Sequence, residues 1–151
     1  MNRPLPLALL ALLAAANLAH AQASVHPLPV NTAADEDEPH VSSSGLMLFY
    51  TSNANKKFEV LMSSRPDKKH TWPAGKPFDD INSKANTRGV FITPDGVLPQ
   101  RIYFATDKDP TKDGEKGSNY DIYFVTKQTP KSDFTFEQGL PFCTKDDEMH
   151  P

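Results

Sequence analysis

The chain has 151 residues, carries 16 Lys and Arg against 19 Asp and Glu for a formal charge of −3, and is 38% hydrophobic. That size suits one ordinary domain, and the acidic balance argues against a nucleic-acid binder, which clusters basic residues on one face. One cysteine, Cys143, excludes an internal disulfide framework; it is a small buried hydrophobe, a free thiol or an intermolecular link, and burial is the expected role.

The amino terminus reads MNRPLPLALLALLAAANLAHAQA, with Arg3 ahead of an apolar run over 5–19. Two small-x-small triplets follow, Ala19-His20-Ala21 and Ala21-Gln22-Ala23. This is the layout of a secretory leader over 1–23. The run is about 15 residues, short of the roughly 20 that a membrane-spanning helix needs. No cysteine near the cleavage point offers a site for a lipid anchor. The leader takes one base and no acid with it, leaving 15 bases and 19 acids, a charge of −4. The mature chain, 24–151, is expected in the periplasm or secreted, with no membrane span.

After the leader no stretch keeps a 3.6-residue apolar period, and short runs of β-type composition dominate. LMLFYTS (46–52), FEVLMSS (58–64), GVFIT (89–93), RIYFAT (101–106) and YDIYFVTK (120–127) are the strand candidates. Val, Ile, Phe, Tyr and Thr fill them, side chains that fit a pleated, half-buried surface. Turn-forming clusters separate them: SNANKK, SRPDKK, TPDG and DKDPTKDGEKGSN. The fold class is all-β.

Spacing of this kind asks for a repeat search. VNTAADEDEPHVSSSG (30–45) aligns without a gap on INSKANTRGVFITPDG (81–96), and LFYTSN (48–53) on IYFATD (102–107). FEVLMSSR (58–65) aligns on YDIYFVTK (120–127), and TWPAGKPF (71–78) on TFEQGLPF (135–142), which places Gly75 on Gly139. Repeat 1 covers about 30–78 and repeat 2 about 81–142. CTKDDEMHP (143–151) then lies on NTAADEDEP (31–39), the start of a third. Each unit reads as a four-stranded antiparallel meander, the unit of a propeller blade. Two blades do not close a ring of four to eight. The chain is therefore expected to be a truncated piece of a longer protein or to complete itself as a homo-oligomer; a stand-alone two-sheet sandwich is the plainer alternative.

These residues resemble the TolB-type, WD-like β-propeller repeat of exported bacterial proteins. The family phrase is Pro-Asp-Gly, an apolar LYF-S strand, then G-DIY and a basic residue. Pro94, Asp95, Gly96, Ile102, Tyr103, Phe104, Asp121, Ile122 and Tyr123 match it, and the resemblance extends over about 30–151. In the first copy Ser43-Ser44-Gly45 stands for Pro-Asp-Gly and Glu59-Val60 for Asp-Ile. The resemblance implies two four-stranded antiparallel blades plus the start of a third. Family members include periplasmic scaffolds associated with Pal, and propellers fused to peptidases or to cell-wall-binding domains. Within the motif, Pro94 presets φ, Asp95 is expected to bond its own backbone and Gly96 supplies a positive φ. Tyr103 and Tyr123 are expected to pack between blades. Asp121 is expected to cap backbone N–H groups or to pair with a base. Trp72, aligned with Phe136, reads as a structural aromatic rather than a sugar platform.

Chemistry has few footholds. There is no G-x-S-x-G elbow, since SSSG (42–45) falls at a turn. No H-x-x-x-H or C-x-x-C provides zinc spacing, and His40 and His70 read as half-exposed side chains. The acid run DEDE (35–38) reads as a solvated face or as partners for Arg65 or Arg88, because paired carboxylates for glycoside hydrolysis need a set separation that nothing here marks. The best binding candidate is the expanded loop over 107–119, with Asp107, Asp109, Lys112, Asp113, Glu115 and Asn119. Asp109, Thr111 and Asp113 also copy the first oxygen positions of a calcium loop, but Tyr120 stands where a bidentate Glu is wanted. Calcium is thus only a weak alternative to a cofactor-free loop. The expected function is that of a non-enzymatic exported propeller module that binds a protein or a cell-envelope polymer. The alternative is the propeller portion of a larger hydrolase or lyase whose catalytic residues lie outside this chain.

Overall fold

The computed structural model describes residues 26–151 apart from Pro110, Asp113, Gln138 and Phe142. The expected leader lies outside the described residues, which contain β-strands and no helix. β1 (Glu36–Val41), β2 (Met47–Ser52), β3 (Glu59–Ser64) and β4 (Lys76–Pro77) form one sheet in that order. β5 (Thr87–Ile92), β6 (Gln100–Lys108), β7 (Lys116–Lys127) and β8 (Thr135–Glu137) form the second in the same way. Every neighbouring pair is antiparallel.

The two sheets share a register. His40↔Phe49 and Val41↔Leu48 in the first have their counterparts in Phe91↔Tyr103 and Ile92↔Ile102 in the second. Both first strands are bulged, between Asp37 and His40 and between Arg88 and Val90. Glu38 and Gly89 hold the same place in these bulges, with φ of 51° and 54°. Glycine takes that conformation freely, whereas Glu38 is held in it: its carboxylate accepts from the Thr51 hydroxyl and the Gly89 amide, both at 2.9 Å. Pro39 sits in the bulge, where a missing N–H removes no ladder bond.

The fourth strands depart from the sequence alignment. Gly75 precedes β4, whereas Gly139 follows β8. Phe78 and Leu140 take equivalent places instead, their amides donating to the carbonyls of Val60 and Ile122 at 2.9 and 3.0 Å. Edge strands of two and three residues have too few ladder bonds to hold a common register, so each glycine goes where its own sheet leaves room. A Cβ on Gly75 would lie 2.5 Å from the Tyr50 hydroxyl, and one on Gly139 would touch the Tyr123 ring at 3.4 Å.

Alternation gives each sheet two different faces. Phe49 and Val60 of the first sheet, with Met47 and Met62 beside them, pack against Val90, Ile92, Ile102, Phe104, Tyr123 and Val125 of the second. Phe78 and Ile81 fill the same cluster. On the far side of the first sheet, Leu48 and Tyr50 pack with Val30, Leu61 and Trp72. In register terms Leu48, Tyr50 and Leu61 match Ile102, Phe104 and Tyr123, while Phe49 and Met62 match Tyr103 and Phe124. The sheets therefore stack head to tail, the Phe49 face of one on the Ile102 face of the next. The second sheet's own equivalent of the Phe49 face is turned outward. There Phe91, Tyr103 and Phe124 form a row with ring centroids 6.3 and 5.5 Å apart, and Phe91 is 43% exposed.

Polar contacts fix the junction. Phe58 donates its amide to Asn86 Oδ1 at 3.0 Å, and Thr87 donates to the Phe58 carbonyl at 2.8 Å. The segment after the second sheet repeats this: Tyr120 donates to Asp147 Oδ1, and Glu148 to the Tyr120 carbonyl, both at 2.8 Å. Local bonds repeat too. Thr32 donates its amide and hydroxyl to the Glu36 carboxylate, and Thr144 does the same to Glu148. In the first sheet Asp35 pairs with Asn53, and in the second the order reverses to Asn86 with Asp107.

That reversal yields a test. Asn86→Asp alone sets two carboxylates face to face in a part-buried contact and is expected to cost about 1–3 kcal/mol. Adding Asp107→Asn restores the arrangement of the first sheet and is expected to recover most of the loss. Urea unfolding of the two single variants and the double variant measures the coupling; additive losses would contradict the equivalence of the two pairs.

Candidate functional site at the β6–β7 turn

β6 and β7 run further than their composition suggests. Lys108 pairs with Lys116, so the turn proper is 109–115 and Gly117–Asn119 belong to β7. Asp107 is 3% exposed; its carboxylate accepts from the amide and the side chain of Asn86, both at 2.7 Å, and it is not presented to solvent. Gly117 lets the strands approach closely here, since a Cβ would lie 3.1 Å from the Asp107 carbonyl oxygen.

Asp109 Oδ1 accepts from the amide and hydroxyl of Thr111, at 2.8 and 2.6 Å. Lys112 Nζ lies 3.4 Å from its other oxygen. These contacts, Thr111 first, hold the Asp109 carboxyl below its usual range. The residues of the calcium comparison, Asp109 and Thr111, thus meet in a side-chain turn with an ammonium on the carboxylate, and Asp113 lies outside the described residues. Asn119 donates to Asp121 Oδ1 at 3.3 Å and to the carbonyls of Thr144 and Asp146 at 3.3 and 3.4 Å. Lys108, Asp109, Gly117, Ser118, Asn119 and Asp121 line a polar hollow of about 170 Å³. Of the expected binding residues, Asp109 and Asn119 share it. Asp107 faces inward, and Lys112 and Glu115 are exposed on the outer turn.

The motif residues serve the framework, not always as expected. The Val97 amide donates to the Pro94 carbonyl at 3.1 Å, and Gly96 has φ of 83°. Asp95 bonds across to the first sheet rather than to its own turn. It accepts from the Ser44 amide and donates its own amide to Ser43 Oγ, both at 2.8 Å. Tyr103 lies in the outward row of rings, and Tyr123 stacks on Phe104 in the core at 6.3 Å. Trp72 packs beside Leu48 and Tyr50 with the Arg65 guanidinium 3.8 Å above its ring. The acid run finds Arg88, which reaches Asp37 at 2.9 Å and Glu38 at 3.2 Å. His40 is half-buried, 5.3 Å from the Phe91 ring, and burial holds its pKa down; His70 is exposed and bonded to Asp67.

Asp121 accepts from Asn119 and lines the hollow together with Lys108. It lies with Cys143 and Glu148, a grouping that strand composition did not signal. The repeat alignment held the clue, because it lays 143–148 against the sheet just as 82–87 lies against the sheet before. Comparison with protein-family models, with curated proteins and with solved structures finds no match to this chain.

Asp95, in the turn between β5 and β6, makes the stability of the fold depend on pH. Its hydrogen bonds to Ser44 come first in holding its carboxyl below the usual range. A carboxyl with a depressed folded-state pKa adds stability that is present above its unfolded pKa near 4 and is lost as pH falls. Asp95→Asn is expected to lower the midpoint of unfolding at pH 7 and to flatten its decline between about pH 5 and pH 2. Thermal melts across that range would show it, and parallel acid limbs for both proteins would contradict it.

Proposed function

We propose that this chain is an exported, non-enzymatic β-propeller repeat module of TolB type, whose β6–β7 hollow receives a protein or a cell-envelope polymer. The head-to-tail stacking of the two meander sheets carries this reading. A contact that joins two unlike faces repeats, and it closes into a ring or runs on as a filament. The outward row of Phe91, Tyr103 and Phe124 occupies the place that Phe49 and Met62 hold in the first sheet, where the next sheet covers them. A further blade over this row, from a longer chain or from a second copy, follows from the same packing. Binding is assigned to the turn because rigid strands hold it while its polar groups face solvent.

Paired variants test the function. Asp109→Ala and Asn119→Ala together remove two walls of the hollow without touching either apolar cluster. Retention on isolated cell wall and on immobilised envelope proteins is expected to fall at least about tenfold, the equivalent of 1.4 kcal/mol, with the far-ultraviolet circular dichroism unchanged. Undiminished retention by a folded double variant would remove the hollow from the mechanism.

A further inference from the structure

We propose that Asp121, Cys143 and Glu148 form a binding site for one divalent transition-metal ion of the zinc class. The three side chains converge from two elements, β7 and the segment 143–148, and their donor atoms lie within 4.8 Å of one another. A tetrahedral zinc ion binds thiolate sulfur at about 2.3 Å and carboxylate oxygen at about 2.0–2.2 Å. Donors around such an ion are therefore roughly 3.3–3.7 Å apart, a distance that side-chain rotation can reach from here.

The backbone fixes the donors independently. Cys143 donates its amide to the Leu140 carbonyl at 3.0 Å, and Glu148 donates to Tyr120 at 2.8 Å. Thr144 engages Glu148 Oε1 through both its amide and its hydroxyl, at 3.2 and 2.6 Å. Glu148 Oε2 is left enclosed, with no hydrogen-bond partner among the described residues. A carboxylate oxygen deprived of both water and a donor costs free energy, and here it adjoins a second carboxylate. A cation in this place stabilises the adjoining carboxylates and the thiolate together.

The first junction supplies an internal control. Glu59, Asn82 and Thr87 stand there in the places of Asp121, Cys143 and Glu148. Asn82 donates its side chain to the Val60 carbonyl at 2.8 Å, and Cys143 Sγ lies 3.5 Å from the Ile122 carbonyl in the same way. Lys57 Nζ neutralises Glu59 from 3.0 Å. At the second junction Asn119 takes the place of Lys57, and one acid with its ammonium gives way to two acids and a thiol. A thiolate with two carboxylates suits zinc or cobalt better than calcium, which takes six to eight oxygens.

Cobalt(II) titration of the reduced full chain tests the site. The expected result is saturable binding of one ion, with thiolate-to-cobalt charge-transfer absorption that zinc abolishes by displacement. Zinc should also raise the melting temperature. Cys143→Ser should remove the absorption and the thermal shift, while Asp121→Asn and Glu148→Gln should each weaken binding at least about tenfold, all three folding as judged by circular dichroism. Absence of saturable binding to the folded wild-type chain would overturn the proposal. So would a thermal shift by zinc that persists in Cys143→Ser.

Discussion

A hydrogen-bonded seam between one sheet and the start of the next governs this structure. Phe58 gives its amide to the Asn86 side chain and takes the amide of Thr87 on its carbonyl. Those two bonds set the register in which β5 leaves the first sheet. Register decides everything beyond it, because a slip of one residue would turn every side chain of a strand to the opposite face. With this register Phe49 and Val60 meet Ile92, Ile102 and Phe104, and about ten buried apolar side chains close into one core. Truncating any one of its aromatics would cost about 3–5 kcal/mol, a large part of a domain's 5–15 kcal/mol.

The same seam distributes the polar groups. Each unit opens with a short polar stretch, Thr32 to Glu36, Ser83 to Thr87 and Thr144 to Glu148, folded by side-chain bonds onto its own backbone. At the first junction the groups alongside are neutral or paired. At the second they are two carboxylates and a thiol, so a structural place has acquired a different chemistry. The polar hollow lies next to it and shares Asp121 with it. Two long paired strands, β6 and β7, hold both places steady.

Much of the architecture was legible in the residues. Strands with aliphatic and aromatic content, β2, β3, β6 and the later part of β7, follow from composition. β1 does not, since half of Glu36–Val41 is acidic; Arg88 engages Asp37, and Arg88, Thr51 and the Gly89 amide converge on Glu38 Oε2 to hold it in place, and only the repeat alignment pointed to it. The alignment of Gly75 on Gly139 does not carry over to the fourth strands, because two-residue and three-residue edges follow the shape of the neighbouring sheet. Asp107 read as a loop acid, yet a partner 21 residues upstream in the chain draws it inside. The gathering of Asp121, Cys143 and Glu148 depends on how the segment after β8 folds back, which no local pattern encodes.

Amide hydrogen exchange at two positions tests most directly whether the second junction repeats the first. Thr87 and Glu148 each donate to the sheet before them at 2.8 Å. Both amides are expected to exchange far more slowly than in an unstructured chain. A Glu148 amide that exchanges at the free-chain rate, beside a protected Thr87, would contradict the account.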